Sequence, residues 1–233
     1  MSALFGDDLL ERPRREVAPG AVHVPGWLTL EQQVWIVERF REWTAGPVPL
    51  RGAKIRGHEM SVKTVCLGWH WQPYKYTREA TDVNGQRVLP FPDWMLRVGR
   101  QAVAEAYGLD VSAADLYTPD TALVNFYDAG ARMGMHQDRD EVPLEPVVSL
   151  SIGDSCGFRF GNTENRGRPY EDLALESGDL FVFGGPSRLA FHGITKVVPG
   201  TAPAACGIQN GRINITLRVT GLGDTERREP GKR

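Results

Sequence analysis

The sequence predicts an α+β protein whose C-terminal half closes as a jelly roll. Two segments with helical spacing of apolar residues lie before residue 121. From residue 121 onward, short β-prone runs alternate with Gly, Pro, Asn and Asp. Several short strands in one segment must hide their edges, and a jelly roll is the most economical way to do so. With 233 residues, the chain can bury one sizeable core without a second domain.

The composition indicates a globular protein and argues against several other classes of protein. A hydrophobic content of 41 % and a charged content of 24 % are typical of a globular protein, and the net charge of −2 argues against coating nucleic acid by bulk electrostatics. No apolar run approaches the roughly 20 residues of a membrane helix, and the N-terminus lacks the apolar core of a signal peptide. The cysteines, Cys66, Cys156 and Cys206, are odd in number and scattered. We therefore expect a cytoplasmic protein without disulfides.

Two helices are expected in the first half. Thr29 and Gln32 form a capping-box pattern at the start of the first helix, which Gly46-Pro47 ends. Asp93 is the expected cap of the second helix, and Gly108 is its left-handed stop. The residues expected on the buried faces are Leu30, Val34, Val37 and Phe40 in the first helix and Leu96, Ala102, Val103 and Ala106 in the second.

A histidine and a carboxylate in "MGMHQDRDEVP" indicate a metal site. His136 and Asp138 are two positions apart, so in extended backbone they project to the same side. His192, followed by a glycine that permits close approach, is the candidate third ligand. Two histidines and one carboxylate leave open positions on iron(II), as oxygen activation requires. Zinc hydrolysis is the competing use, although HExxH is absent; the plainest alternative is a solvated acidic loop beside an unrelated histidine.

The last β-prone run, "RINITLRVT", indicates an anion site. Alternation places its polar side chains on one face and its apolar side chains on the other. A solvent-exposed polar face would give the same pattern, but two planar guanidinium groups suit a dicarboxylate co-substrate. Asn125 and Tyr127 in "LVNFY" would add neutral donors on one strand face. The polar residues of the last run are Arg212, Asn214, Thr216, Arg218 and Thr220.

Five stretches in order resemble the AlkB family of iron(II) and 2-oxoglutarate-dependent dioxygenases. They are "LVNFYDAGARM", "HQDRDE", "VVSLSIG", "GDLFVFGGPSRLAFHGI" and "RINITLR", and the match spans roughly residues 121 to 220. The resemblance implies a double-stranded β-helix (jelly-roll) core, with an N-terminal helical and hairpin extension that forms a nucleotide-recognition lid. The expected organisation is one structural domain made of a tail (1–20), the extension (21–120), the catalytic core (121–222) and a second tail (223–233).

The resemblance also implies a set of site residues and cofactors. Iron(II) would be held by His136, Asp138 and His192, with O2 as a second co-substrate. The implied 2-oxoglutarate contacts are Asn125, Tyr127, Met133, Arg212, Asn214 and Arg218. Which arginine takes which carboxylate stays open at this point.

The activity implied by the resemblance is oxidative demethylation of N-alkylated bases, of the 1-methyladenine and 3-methylcytosine type, in damaged DNA or RNA. Formaldehyde, succinate and CO2 would be released. The resemblance implies that the target base would be extruded into the site, with Trp69 as the stacking side chain and Tyr74 and Tyr76 as further contacts. Asp140 resembles the family's base-reading carboxylate and would favour cationic lesions. The segment from Arg51 to Arg78 carries six basic residues against one acid and could dock a negatively charged partner.

Two other functions are compatible with parts of the pattern. One is a 2-oxoglutarate-dependent hydroxylase of the same lineage that acts on a protein, a lipid or a small molecule, because the core would be unchanged. The other is a non-catalytic jelly-roll binder in which the triad holds a structural ion. Two inward-facing arginines with nothing to neutralise them would be costly to bury, which disfavours the binder. A monomer is expected in each case.

Overall fold

The structure is a computed structural model that describes residues 12–55 and 57–223. In these residues the chain forms two α-helices, α1 (Leu30–Thr44) and α2 (Asp93–Tyr107), and fourteen strands. The strands of the first half are β1 (Arg15–Ala18), β2 (Ala21–Val24), β3 (Arg51–Ile55), β4 (His58–Leu67), β5 (His70–Gln72) and β6 (Lys75–Thr77). Those of the second half are β7 (Thr121–Tyr127), β8 (Met133–His136), β9 (Val147–Gly153), β10 (Ser155–Gly161), β11 (Tyr170–Leu175), β12 (Leu180–Phe183), β13 (His192–Val198) and β14 (Arg212–Arg218).

Two antiparallel sheets form the jelly-roll core, as predicted. The larger sheet has eight strands in the order β1-β2-β12-β9-β14-β7-β4-β3, and the smaller has four in the order β11-β10-β13-β8. Strands β5 and β6 pair separately as a hairpin. Most neighbouring strands in the two sheets are not consecutive in the chain, so residues that are far apart in the sequence lie side by side in the sandwich.

Aromatic side chains fill the space between the two sheets. Phe158 and Phe160 from β10 meet Phe181 and Phe183 from β12, with ring centroids 5.0 Å apart for Phe158–Phe181 and 5.7 Å apart for Phe160–Phe183. Edge-to-face pairs of this kind add to the free energy gained from burial alone. The core therefore holds the two sheets at a fixed separation beside the candidate site.

The helices cover the outer face of the large sheet. The capping box of α1 is present, because the Thr29 side chain accepts from the backbone of Gln32 and the Gln32 side chain accepts from the backbone of Thr29. Leu30 was expected inside but is 47 % exposed, because the buried face is rotated toward Ile36, Val37 and Phe40. Neither helix, nor any other described helix, is long and apolar enough to span a membrane.

Helix α2 begins differently from the prediction. Pro92 occupies the cap position and Asp93 is the first helical residue, with no side-chain capping bond, so Asp93 is not the cap. Its carboxylate still lies in the first turn, where its negative charge interacts favourably with the positive end of the helix dipole and stabilises the helix. Gly108 ends the helix in the left-handed conformation, with φ 62°, as expected.

The N-terminal half contributes four strands to the large sheet. The sequence analysis did not predict them, because it placed the β-prone runs after residue 121. Residues 1–20 were expected to be a tail, but Arg15–Ala18 form strand β1 and pair with β2. Four-residue strands are too short for a reliable period-2 pattern, so their pairing depends on the sheet edge that receives them. Residues 1–11 and 224–233, which make up most of the two expected tails, lie outside the described residues.

Candidate active site

Strand pairing brings the three candidate metal ligands together. His192 on β13 lies directly opposite His136 on β8, and Asp138 follows the end of β8. The potential ligand atoms of these three residues lie within 4.8 Å of one another. The antiparallel register thus turns two histidines that are far apart in the chain into cross-strand neighbours.

Backbone carbonyls fix the orientation of both imidazoles. Nδ1 of His136 is 3.0 Å from the carbonyl oxygen of Gly134, and Nδ1 of His192 is 3.0 Å from that of Ala190. A proton on each Nδ1 leaves Nε2 as the free lone-pair donor. The two Nε2 atoms lie 3.5 Å and 3.7 Å from the carboxylate oxygens of Asp138. All three side chains therefore present ligand atoms to one point.

The protonation states of two of these residues suit a cation. Burial by itself would raise the pKa of Asp138, but Arg218, His192 and His136 together outweigh it and hold that pKa well below its usual value. Burial, together with the neighbouring His136, lowers the pKa of His192 to about 4. Burial opposes protonation of His136, but its contact with Asp138 raises its pKa. Metal ligation needs an ionised carboxylate and neutral imidazoles, so binding would displace any proton held by His136.

Gly193 allows β8 and β13 to approach at the site. A Cβ atom at this position would lie 2.6 Å from the carbonyl oxygen of Met133 and 3.0 Å from the carbonyl carbon of Gly134. Both are backbone atoms of the paired strand and cannot move aside as a flexible side chain could. Glycine at position 193 is therefore needed for His136, Asp138 and His192 to come together.

All of the predicted co-substrate residues except Met133, which lies on β8 of the smaller sheet, share one face of the large sheet. In the register, Arg212 lies opposite Tyr127, and Asn214 lies between Asn125 and Ser151 of the two flanking strands. All five side chains are buried. The alternative of a solvent-exposed polar face is therefore wrong for this strand.

The two arginines on this face have unused hydrogen-bonding capacity. Arg212 is 1 % exposed, and its Nη2 donates to the Ser151 hydroxyl over 2.8 Å. Within the described residues, Nε and Nη1 of Arg212 and Nε of Arg218 have no hydrogen-bond partner. A buried cation with unmatched donors is costly unless an anion completes it. The donor set therefore fits a small dicarboxylate.

Neutral side chains surround these arginines. Asn125 accepts a hydrogen bond from Thr64 over 2.7 Å, and the Asn214 amide donates to Ser149 over 2.8 Å. The Tyr127 hydroxyl lies 3.8 Å from the sulfur of Met133. Burial raises the pKa of Tyr127, which keeps its hydroxyl protonated as a donor. The predicted co-substrate residues are thus held in place by one another and by their neighbours.

A buried charge cluster that the sequence analysis missed adjoins the triad. Arg218 pairs with Asp138 through Nη2 at 2.8 Å and with Glu141 through Nη1 at 3.0 Å. Glu141 also pairs with Arg188 at 2.9 Å and accepts from the Tyr76 hydroxyl over 2.5 Å. Glu141 ends the "HQDRDE" stretch and Arg188 precedes His192 by four residues, but sequence gives no sign that either is buried or paired.

The predicted substrate residues do not share one environment. Trp69 is 7 % exposed, and the guanidinium of Arg78 lies 3.6 Å from its ring centroid, so one ring face is covered. Tyr74 is 66 % exposed at the tip of the β5–β6 hairpin and has a φ of 73°, which costs energy for a non-glycine residue. Asp140 accepts from the indole nitrogen of Trp71 over 2.8 Å. The hydroxyl of Tyr76 is bound to Glu141 and faces the charge cluster.

Comparison with known proteins identifies the family. The model of the 2OG-Fe(II) oxygenase superfamily matches residues 20–218. An alpha-ketoglutarate-dependent dioxygenase AlkB homolog from Caulobacter vibrioides is 52 % identical over 213 residues, which cover 87 % of this chain and 88 % of that protein. The chain belongs to the AlkB family. Iron(II), 2-oxoglutarate and O2 are accordingly its cofactor and co-substrates.

Other AlkB-family relatives agree with this assignment. The protein named DNA N(6)-methyladenine demethylase ALKBH1D from Arabidopsis thaliana is 33 % identical over 222 residues, covering 87 % of this chain and 50 % of that protein. The chain thus spans about half the length of this relative. The solved structure of OsALKBH1 superposes with a TM-score of 0.76 at 30 % identity, covering 88 % of this chain and 99 % of that one.

Proposed function

We propose that this AlkB-family chain oxidatively demethylates N-alkylated bases in DNA or RNA, releasing formaldehyde, succinate and CO2. The observation that carries the proposal is the convergence of His136, Asp138 and His192 beside the unmatched donors of Arg212. Such a donor set suits iron(II), which prefers two imidazoles and one carboxylate when it must keep positions open. The names of the relatives, which specify a DNA demethylase and an AlkB dioxygenase, support a nucleic-acid substrate.

In this proposal each group of residues has a separate task. His136, Asp138 and His192 bind the iron. The residues that bind 2-oxoglutarate are Arg212, Arg218, Asn125, Asn214, Tyr127 and Met133. When bound, iron and 2-oxoglutarate supply the O2-dependent oxidation of an N-methyl group, with the co-substrate converted to succinate and CO2. The chain's own side chains orient the co-substrate, exclude water and fix the charge around the site.

Substrate contacts are proposed for residues around the β5–β6 hairpin. Tyr74 is exposed at its tip and is our choice for a contact to the nucleotide. Trp69 is proposed to stack on a base through the ring face opposite the one that Arg78 covers. Asp140, held by Trp71, is proposed to read the base. Exposed Lys54, Lys63 and Lys75 are suited to phosphate contacts.

The test is release of formaldehyde from methylated oligonucleotides. Purified protein with iron(II), 2-oxoglutarate and ascorbate is incubated with DNA and RNA that carry 1-methyladenine, 3-methylcytosine or N6-methyladenine. We expect release from at least one of them and none from unmethylated strands. His136→Ala should abolish release, whereas His58→Ala, which changes an exposed histidine outside the site, should retain it.

A specific outcome would favour the alternative. If succinate accumulates while no methylated oligonucleotide yields formaldehyde, the result favours a 2-oxoglutarate-dependent hydroxylase of a protein, lipid or small molecule. A panel of both single-stranded and double-stranded substrates also decides the preferred lesion and strand state.

We further propose that the protein acts as a cytoplasmic monomer. Cys66, Cys156 and Cys206 are free and buried, as suits a reducing compartment. Sedimentation of the purified protein tests the monomeric state, and fractionation of the cells that produce it tests the compartment.

A further inference from the structure

We propose that Glu141 is a positioning residue for Arg218, and that the Tyr76 hydroxyl, which donates to Glu141 and accepts a longer 3.4 Å bond from Arg218, links the β5–β6 hairpin to the 2-oxoglutarate site. The inference rests on the proposed role of Arg218 in binding the co-substrate. It assigns Tyr76 a task different from the substrate contact predicted from sequence.

Glu141 is held rigidly from several directions. It is 4 % exposed, and Oε2 accepts from Arg188 over 2.9 Å while Oε1 accepts from Tyr76 over 2.5 Å. Arg188 is itself fixed, because its guanidinium also donates to the backbone carbonyls of Asp138 and Glu145. A carboxylate fixed at both oxygens offers Arg218 a stationary partner.

Arg218 is divided between two carboxylates. Its Nη1 lies 3.0 Å from Oε1 of Glu141, and its Nη2 lies 2.8 Å from Oδ2 of Asp138. A guanidinium near a single carboxylate tends to form two parallel bonds with it. Without Glu141, Arg218 would be free to turn both terminal nitrogens onto Asp138. Glu141 therefore keeps the guanidinium plane oriented before the co-substrate arrives and leaves Asp138 available to the metal, which lowers the cost of binding both.

A pair of aromatic residues connects the β5–β6 hairpin to Asp140 and Glu141. Trp71 on β5 and Tyr76 on β6 are direct cross-strand partners, so their side chains lie on the same face. Trp71 donates to Asp140 over 2.8 Å and Tyr76 donates to Glu141 over 2.5 Å. The hairpin is thus attached to two consecutive carboxylates, of which only Glu141 contacts Arg218 among the described residues. Tyr76 also accepts a weaker bond from Nη1 of Arg218 over 3.4 Å, so a displacement of the hairpin would loosen Arg218 both directly and through Glu141.

The charge states agree with these roles. Burial raises the pKa of Tyr76 well above its usual value, so the hydroxyl keeps its proton and acts as the donor. Burial alone would raise the pKa of Glu141, but the charge of Arg218, the hydrogen bond from Tyr76 and the charge of Arg188 together outweigh it and lower that pKa. The carboxylate is therefore ionised and accepts from both Tyr76 and Arg218 at neutral pH.

The experiment measures 2-oxoglutarate binding without turnover. The full chain is loaded with Mn²⁺, which accepts the same type of ligands as iron(II), and the Kd of 2-oxoglutarate is determined by calorimetry. We expect Glu141→Gln to weaken binding by about tenfold, because it removes a charged hydrogen-bond partner of Arg218. Tyr76→Phe should weaken it by about threefold, because it removes the bond to Glu141 and the longer bond from Arg218.

Trp71→Phe is the matched control. It removes an aromatic-to-carboxylate hydrogen bond from the paired position of the same hairpin, but at Asp140, so the Kd of 2-oxoglutarate should stay within about twofold of the wild-type value. Glu141→Asp restores the charge and should recover part of the affinity lost in Glu141→Gln. The thermal unfolding midpoint of each variant separates a change in binding from a general loss of structure.

Equal Kd values for wild-type protein and Tyr76→Phe would overturn the inference, and this comparison decides the matter even if Glu141→Gln fails to fold. An equal loss in Trp71→Phe and Tyr76→Phe would also overturn it, because hairpin stability rather than Glu141 would then set the affinity. Binding is measured independently of demethylation. A wild-type protein that binds 2-oxoglutarate but releases no formaldehyde would count against the proposed function. The positioning role of Glu141 would still be decided by the Kd values of the variants.

Discussion

At the scale of the residue, the surroundings of Asp140 agree with the base-reading role that we propose for it. Its carboxylate is partly buried, lies two residues beyond Asp138 and is oriented by the indole nitrogen of Trp71 over 2.8 Å. A carboxylate facing the pocket interacts more favourably with a cationic base than with a neutral one, and less water around it strengthens that preference. Because 1-methyladenine and 3-methylcytosine carry a positive charge that intact bases lack, we expect that, under the proposed function, Asp140 would favour these two bases electrostatically.

Asp140→Asn tests this preference with little change in shape. The amide oxygen of asparagine can still accept from Trp71, so the variant removes charge and retains the hydrogen bond. We expect kcat/KM to fall about tenfold or more on 1-methyladenine and 3-methylcytosine, and by less on the neutral 1-methylguanine. Formaldehyde release from matched oligonucleotides gives the comparison. Equal losses on cationic and neutral bases would show that charge is not the basis of selection.

At the scale of the element, the pairing of β8 with β13 makes the metal site. The two strands carry His136 and His192 at opposing positions, and Gly193 permits the close contact between their backbones. The backbone carbonyls of Gly134 and Ala190 then orient the two rings. Ligand geometry in this protein is thus a property of strand register and backbone position as much as of the ligands themselves.

Gly193→Ala should therefore reduce metal affinity although it changes no ligand. The added Cβ would meet the backbone of β8 at 2.6 Å, and forcing the strands apart costs about 1 to 3 kcal/mol. Titration with Mn²⁺ and chemical unfolding measure the two effects. Gly134→Ala is the control on the facing strand, because a Cβ there meets no atom within 4 Å. Comparable metal affinity in wild-type protein and Gly193→Ala would contradict this account.

At the scale of the whole molecule, Asp179 joins the N-terminal segment to the sandwich. The carboxylate is fully buried just before β12, where it accepts from Arg12 through both oxygens and from the backbone of Gly26 and Glu176. His23 on β2 lies 2.8 Å from it. Burial alone would raise the pKa of Asp179, but the hydrogen bonds from His23 and Arg12 outweigh it and lower that pKa.

Asp179→Asn should destabilise the fold in a pH-dependent manner. At neutral pH the loss is about 3 kcal/mol, because Arg12 and His23 lose a buried partner. A carboxyl with a lowered folded pKa stabilises above its unfolded pKa of about 4 and loses that contribution as the pH falls through the folded pKa. Urea unfolding between about pH 7 and pH 3 should therefore show a smaller acid-induced loss in the variant than in wild-type protein.

The exposed ion pair of Asp172 with Arg159 serves as the control for this prediction. Both carboxylate oxygens of Asp172 are paired at 2.7 Å, but 54 % of the side chain is exposed. Exposed pairs contribute little because solvent screens them. Asp172→Asn should change the unfolding free energy only slightly, and an effect as large as that of Asp179→Asn would contradict the argument from burial.

Much of this organisation could be predicted from local sequence. The separation of His136 from Asp138 and the alternation of "RINITLR" place side chains on a common face whatever the rest of the chain does, because period 2 is a property of extended backbone. The capping box at Thr29 and the left-handed stop at Gly108 are equally local. The jelly-roll class follows because short strands must hide their edges.

Other features depend on contacts between distant segments. The pairing of β1–β4 into the large sheet, the opposition of His192 to His136 and the burial of Glu141 between Arg188, Arg218 and Tyr76 all depend on register across the fold. The local sequence does not show whether a charged residue is solvated or buried. Its partner depends on which residues the fold brings close to it. The sequence by itself therefore determined which side chains could serve the site, whereas the tertiary structure decided which of them meet and what charge each one faces.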